Sequence, residues 1–439
     1  METKLEEIAV KAWAEKDLRF TSLCHHITRE LIGESLNHIS PKSAPGIDGI
    51  TVSQAKEDFH LWVEEMLQSI HRKGYKAPTV KRVWIPKPGK SEERPLGVPC
   101  ITDRALQRSV TKVLEAIYEQ DFLACSFGGR PNLSAHHALA TFNEIVSGKY
   151  VNWVLEADLK NFFGSLSQQW LIRFVEHRVG DPRTISLIRR WLKAGILENG
   201  EIHLSDSGVP QGGSISVLLS NIYLHYVLDL WFEKVVKPKL KGEAYLIRYI
   251  DDFVVCFKHR SDARMFQEGL QERLEKFSLE LAPTKTRLVE FGRFAQRNAV
   301  ASGKKTETVY FLGFTHFCAR NLKGNFMVGR KTEKTRFKRS VEKIYALLKD
   351  IRHFSIKDQR EKINQVLRGH YAYYGMGGNT ESINRIHRLS QKYWRKMLNS
   401  RGRKRNITWE KFNKLLALYP LQAPRQRMTF KKMKAIAVL

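Results

Sequence analysis

The chain has 439 residues, 42% of them apolar and 10% aromatic, enough to bury more than one core and too apolar for a disordered chain. Its 74 Lys and Arg against 45 Asp and Glu leave a net charge of +29. That charge selects a polyanionic partner, and nucleic acid is favoured over an anionic membrane, because no apolar run approaches the roughly 18 residues of a membrane span and no short basic helix stands alone with a clean apolar face. Five widely spaced cysteines without a Cys-x-x-Cys pair argue against a disulfide framework or structural zinc. The start METKLEEIAV has none of the features of an export signal, so a cytoplasmic location is expected.

Residues 1–75 read as helical, interrupted at PKSAPGIDGIT, where Pro and Gly cluster into a loop. KAPTVKRVWIPKPGKSEERPLGVPC, residues 76–100, mixes β-branched, basic and proline residues and predicts short strands around an exposed basic loop. Helical spacing returns over 101–148. YVNWVLEADLKNFF is a strand candidate, apolar on both faces until Asp158. GVPQGGSISVLLSNIYLHYVLDLWF predicts a glycine-containing turn feeding a long apolar helix. AYLIRY and DFVVCF then read as a β-hairpin, which makes 150–325 mixed α and β. From Arg330 to Leu439, 29 Lys and Arg stand against 7 Asp and Glu, a net +22 of the chain's +29. Apolar residues recur there at helical spacing with basic residues between them, as a polyanion-gripping helical region requires.

Asp251 and Asp252 fall where the hairpin turns, and a turn allows neighbouring side chains to point toward one side. A lone Asp-Asp in a turn is common turn chemistry. Asp158 ends another buried strand, so a sheet that pairs the two strands gathers three carboxylates. Unpaired, they repel and are costly to bury. Hard oxygen ligands of this kind suit Mg²⁺ or Mn²⁺, and two such ions about 3.5–4 Å apart can serve phosphoryl transfer.

The ordered motifs APGIDGIT, IPKPGKSEERPLGVPCITDRALQ, SFGGRPNLSAHHAL, the Asp158 to Phe163 stretch, GVPQGG, YIDD, LELAPTKTRLVEF, FLGF and LRGHYAYYG resemble those of bacterial group II intron reverse transcriptases and their intron-free relatives, over nearly the whole chain. The resemblance implies an α+β right-hand polymerase. Its parts are an N-terminal extension (1–75), fingers (76–150), a palm (151–325) and a basic helical thumb or maturase-like region (326–439). It implies an RNA-directed DNA polymerase that takes an RNA or DNA template, a DNA primer and deoxynucleoside triphosphates. Two divalent ions, Mg²⁺ or Mn²⁺, would be held by Asp158, Asp251 and Asp252.

By the same resemblance Phe163 is a steric gate against the 2′-hydroxyl. Gln211 borders the nucleotide pocket, and Lys87 and Arg94 clamp the triphosphate. Tyr249, Ile250, Lys285, Arg368 and His370 fall to the primer and template. Tyr373 and Tyr374 suit either base or sugar stacking or the thumb's own core.

No DNA-binding segment or His-Asn-His endonuclease with paired cysteines follows the thumb motifs, so cleavage of a target strand is not expected of this chain. Two positions depart from the family pattern: Ile250 replaces the alanine of Y-A-D-D, and Val217 replaces the proline of SPLL. The isoleucine form resembles an intron-free lineage that the family places in microhomology-mediated repair of DNA breaks. An intron-encoded polymerase with maturase activity is the alternative. A non-enzymatic splicing factor is disfavoured by the intact aspartates.

Overall fold

The computed structural model describes residues 2–72, 74–86, 93–198, 200–204, 206–209, 212–402 and 407–439. Four helices open the chain, α1 (Glu2–Ala14), α2 (Arg29–Asn37), α3 (Val52–Glu57) and α4 (Phe59–His71). Their starts follow the side chains: Thr28 caps α2, and Thr51 with Gln54 forms a capping box on α3. The short strands expected over 76–100 are β1 (Val80–Pro86) and β2 (Glu93–Val98), which pair antiparallel. Helices α5 (Ile101–Tyr118) and α6 (Ala135–Gly148) lead to β3 (Trp153–Asp158).

A short α7 (Phe162–Ser165), then α8 (Gln168–Glu176) and α9 (Pro182–Leu192), follow β3. Asp181 caps α9 and Pro182 occupies its first position, where a missing N–H costs nothing. Strands β4 (Ile196–Glu198) and β5 (Glu201–His203) complete a four-stranded sheet in the order β2-β1-β4-β5. The expected long apolar helix is α10 (Ser216–Leu224), carried onward by two π-helical stretches, His225–Asp229 and Phe232–Val236.

The expected hairpin is β6 (Ala244–Tyr249) and β7 (Asp252–Phe257). After α11 (Arg260–Lys276), β8 (Arg287–Glu290) completes the central antiparallel sheet, ordered β6-β7-β3-β8. Cores lie on both of its faces. Leu155, Ala157, Phe253 and Val255 join one cluster, while Val154, Ile247, Val254 and Cys256 join another. That double burial explains why these strands read as unbroken apolar runs instead of alternating.

Helix α12 (Ala295–Ala301) precedes β9 (Thr308–Phe311), β10 (Phe314–Arg320) and β11 (Phe326–Thr332), a third antiparallel sheet. The change to helix falls at Glu333, followed by α13 (Lys334–Asp350), α14 (Ile356–Tyr374), α15 (Thr380–Asn399), α16 (Trp409–Leu418) and α17 (Phe430–Ile436). Helices α13 to α16 bury a third cluster around Trp394, Leu367 and Ile386. The segment after α16 turns back: Met428 bridges to Met376, and Val438 N–H donates to Thr141 Oγ1 on α6 at 2.9 Å. The whole is an α+β fold, as the sequence implies. Among the described residues, no helix is long and apolar enough to cross a membrane.

Candidate active site

In the β6–β7 hairpin Tyr249 pairs with Asp252, leaving Ile250 and Asp251 as the two turn residues. β7 runs antiparallel to β3 with Asp252 directly opposite Asp158. Residues directly opposite in an antiparallel pair project from the same face, so these two carboxylates share one side of the sheet and Asp251 adjoins them at the turn. The three aspartates singled out in the sequence therefore meet at one end of a doubly buried sheet.

Burial, then the charges of Asp158 and Asp251, push the Asp252 carboxyl up from 3.8 to about 7. Burial, then Asp158, pushes Asp251 to about 6. Lys285 forms an ion pair with Asp158. Burial opposes charge on that lysine, but the Asp158 carboxylate holds its pKa above the usual value. The lysine is delivered by the loop before β8, where Ala282 N–H donates to the Asp158 carbonyl at 2.8 Å and Leu281 bridges to Leu159. Among the described residues, no three His, Cys, Asp or Glu side chains stand gathered as a formed metal cage. The donor set nevertheless fits a divalent cation. It is all carboxylate oxygen, and burial and mutual repulsion make two of its members resist ionisation even though Lys285, paired with Asp158, partly offsets both.

Phe163 sits on α7, half-buried beside this end of the sheet, and its carbonyl accepts Val209 N–H at 2.8 Å. Gly208 N–H donates to the Leu166 carbonyl at 2.7 Å, so Gly208 and Val209 are fastened to α7 and the residue after it. A cavity of about 260 Å³ opens there, lined by Asn161, Phe163, Gly164 and Val209 together with Arg82 of β1 and Pro95 of β2. The backbone of Arg94 pairs with Ile85. The Arg94 side chain, Lys87 and Gln211 lie outside the described residues.

Among the C-terminal helices, Arg368 lies exposed on α14 in an ion pair with Glu361. His370, its ring centroid 4.7 Å from that of Tyr374, is pushed down to about 4 by burial. Tyr373 donates its hydroxyl to the Leu312 carbonyl at 2.8 Å and stacks on Phe314. Tyr374 contacts both the second and the third core clusters. These two tyrosines thus join α14 to the sheet of β9 to β11. Arg336, on α13, partly offsets the charge around Asp252 and was not foreseen. In the sequence it is one cation among many on a basic helix.

Both departures from the family pattern touch one loop. Ile250 packs so closely on Gly128 that a Cβ there would stand 2.7 Å from Ile250 Cγ1, and a Cβ on Gly129 would stand 2.2 Å from Val217 Cγ1. Ile250 itself adopts φ +59, a left-handed conformation that costs a β-branched residue about 1–2 kcal/mol.

Comparison with known proteins agrees with this geometry. Residues 85–316, just over half the chain, match the family model described as reverse transcriptase (RNA-dependent DNA polymerase). The group II intron-encoded protein LtrA of Lactococcus lactis subsp. cremoris is 27% identical over 87% of this chain and 74% of its own length. Protein YkfC of Escherichia coli K12 is 35% identical over 53% of this chain and 63% of its own length. The Arabidopsis thaliana protein named nuclear intron maturase 3, mitochondrial, is 23% identical over 62% of this chain and 38% of its own length.

Proposed function

The chain belongs to the reverse transcriptase family, as an RNA-directed DNA polymerase of the group II intron-like kind, and we propose that its polymerase centre is Asp158, Asp251 and Asp252 and that it acts in joining broken DNA ends through microhomology. The observation that carries the site is the facing of Asp158 and Asp252 across paired strands, with Asp251 at the adjoining turn. Mg²⁺ or Mn²⁺ held by these three carboxylates would supply the positive charge that favours the attacking 3′-hydroxylate and the pyrophosphate leaving group. Lys285 holds Asp158 at the end of β3. Phe163, five residues beyond Asp158, lines the cavity between α7 and the β1–β2 strands, where a ring would exclude a 2′-hydroxyl by bulk. The helical region from Lys334 onward supplies cations for the phosphates of primer and template.

The repair reading rests on Ile250. Its side chain is larger than alanine, stiff, and fixed over Gly128 at the turn that carries Asp251, so it supports the terminal nucleotide of a short, weakly paired primer. Ile250→Ala should shift activity toward ordinary primer extension and away from joining ends with a few complementary bases. Both activities are to be measured on one preparation with matched sequences. An unmoved ratio makes Ile250 a packing variant of the hairpin and removes the repair reading.

An intron-splicing role is the second reading. It is supported by the likeness to proteins named as intron-encoded or as an intron maturase. Acceleration of self-splicing of a group II intron RNA by the purified chain would favour it over repair.

A further inference from the structure

We propose that Arg248 is a positioning residue for the polymerase centre, holding the Ile250–Asp251 turn through a fully buried hub of hydrogen bonds. The proposal rests on the reading that Asp251 and Asp252 serve the reaction. Arg248 lies in β6, in the middle of the apolar run AYLIRY, and is fully buried. A guanidinium in such a place needs every N–H satisfied. Nε and Nη2 bind the two carboxylate oxygens of Asp229 at 2.8 and 2.6 Å. The second Nη2 hydrogen reaches Ser126 Oγ at 2.7 Å. Nη1 reaches Asn221 Oδ1 at 2.9 Å and the Ile250 carbonyl at 3.1 Å. All five donors are used.

The partners come from three parts of the fold, and two of the bonds end at the turn or at what covers it. β6 is an edge of the central sheet, and residues 125–127 pair with it in parallel: Arg248 N–H donates to the Cys125 carbonyl at 2.8 Å and Phe127 N–H to the Arg248 carbonyl at 2.9 Å. The next residue in that strap, Gly128, presses on Ile250, and its carbonyl accepts Asn221 Nδ2 at 2.7 Å. Asp229 closes a π-helical turn, a form that often marks functional sites, and Asn221 lies on the α-helix that feeds it. Arg248 therefore ties hairpin, strap and helix together at the residue before Asp251.

Ile250 gives the hub its purpose. A β-branched residue at φ +59 persists only where its surroundings over-determine it. Arg248 holds its carbonyl and the strap holds its side chain, so loosening the hub lets the turn relax and moves Asp251, the next residue. A lysine at 248 keeps the charge but cannot bind Asp229, Asn221, Ser126 and Ile250 together.

The experiment compares the wild-type chain with Arg248→Lys, Ser126→Ala and Asp251→Ala. It reads single-nucleotide addition at saturating substrate, KM for the deoxynucleotide, primer–template Kd, and hydrogen exchange of amides 249–253 against those of Arg287–Glu290. Arg248→Lys should lower kcat about 10- to 100-fold with KM and Kd within about twofold, since small misplacements of reacting groups cost that much. Exchange should quicken at the turn and not in β8. Ser126→Ala, which removes one bond and leaves the ion pair, should show the same pattern to a smaller degree, and it decides the matter if Arg248→Lys does not fold. Wild-type kcat in the folded variants, or equal quickening in β8, overturns the proposal. An active Asp251→Ala would instead overturn the site assignment and the proposal with it, which keeps the two failures apart.

Discussion

Burial and two neighbouring charges raise the Asp252 carboxyl from 3.8 to about 7. A carboxyl raised on folding holds its proton more tightly in the native state, so ionising it subtracts stability as pH rises from its unfolded value through about 7. Asp252→Asn removes that loss. Without divalent cations, thermal denaturation should give Asp252→Asn a higher Tm than wild type at about pH 8 and no advantage at about pH 4. The same offset at both values would contradict this account. Phe163 sits where the cavity meets α7, and Phe163→Ala should let ribonucleotides be incorporated by opening space for the 2′-hydroxyl. Competition between ATP and dATP on one template measures it, and unchanged discrimination would place the gate elsewhere.

Helix caps show how much of an element's stability is tertiary. Asp181 caps α9 through Arg183 N–H at 2.9 Å, and its other oxygen accepts the buried N–H groups of Leu23 and Cys24 at 2.8 and 2.6 Å. Asp181→Ala strands those donors and should cost about 2–4 kcal/mol in urea denaturation, against about 1 kcal/mol for Ser167→Ala at the start of α8. Equal losses would mean that the Leu23 and Cys24 bonds add nothing. Elements with a strong local pattern were legible: β3, β6 and β7 from their apolar runs, and the basic helices after Glu333 from their spacing. β4 and β5 were not, because three-residue strands carry no period and β4 is fixed by pairing with β1, far away in sequence. Nor were the π turns after α10 or the return of the C-terminal segment to α6, which packing decides. Among site residues, Asp158, Asp251 and Asp252 stood out as charges bordering apolar strands. Arg248 carried the same signal, a lone cation inside AYLIRY, and its role needed the partners that only the fold supplies.

Among the described residues, buried side chains form three clusters, and the first two pack on opposite faces of the sheet whose hairpin turn carries the carboxylates. Most of the net positive charge lies from Arg330 onward. Affinity for a primer–template should therefore fall by about 10² or more between about 50 and 200 mM salt, and a flat salt profile would remove the phosphate-gripping reading of the thumb. This division of labour, binding by the basic surface and chemistry by the turn, is tested most directly by Asp251→Ala. The measurement is deoxynucleotide addition to a primer on an RNA template, alongside primer–template affinity, with wild type and variant at equal concentration. Addition should vanish while affinity stays within about threefold, because one carboxylate contributes little to a surface whose binding is set by many phosphate contacts. Continued addition by a correctly folded Asp251→Ala protein would contradict the account.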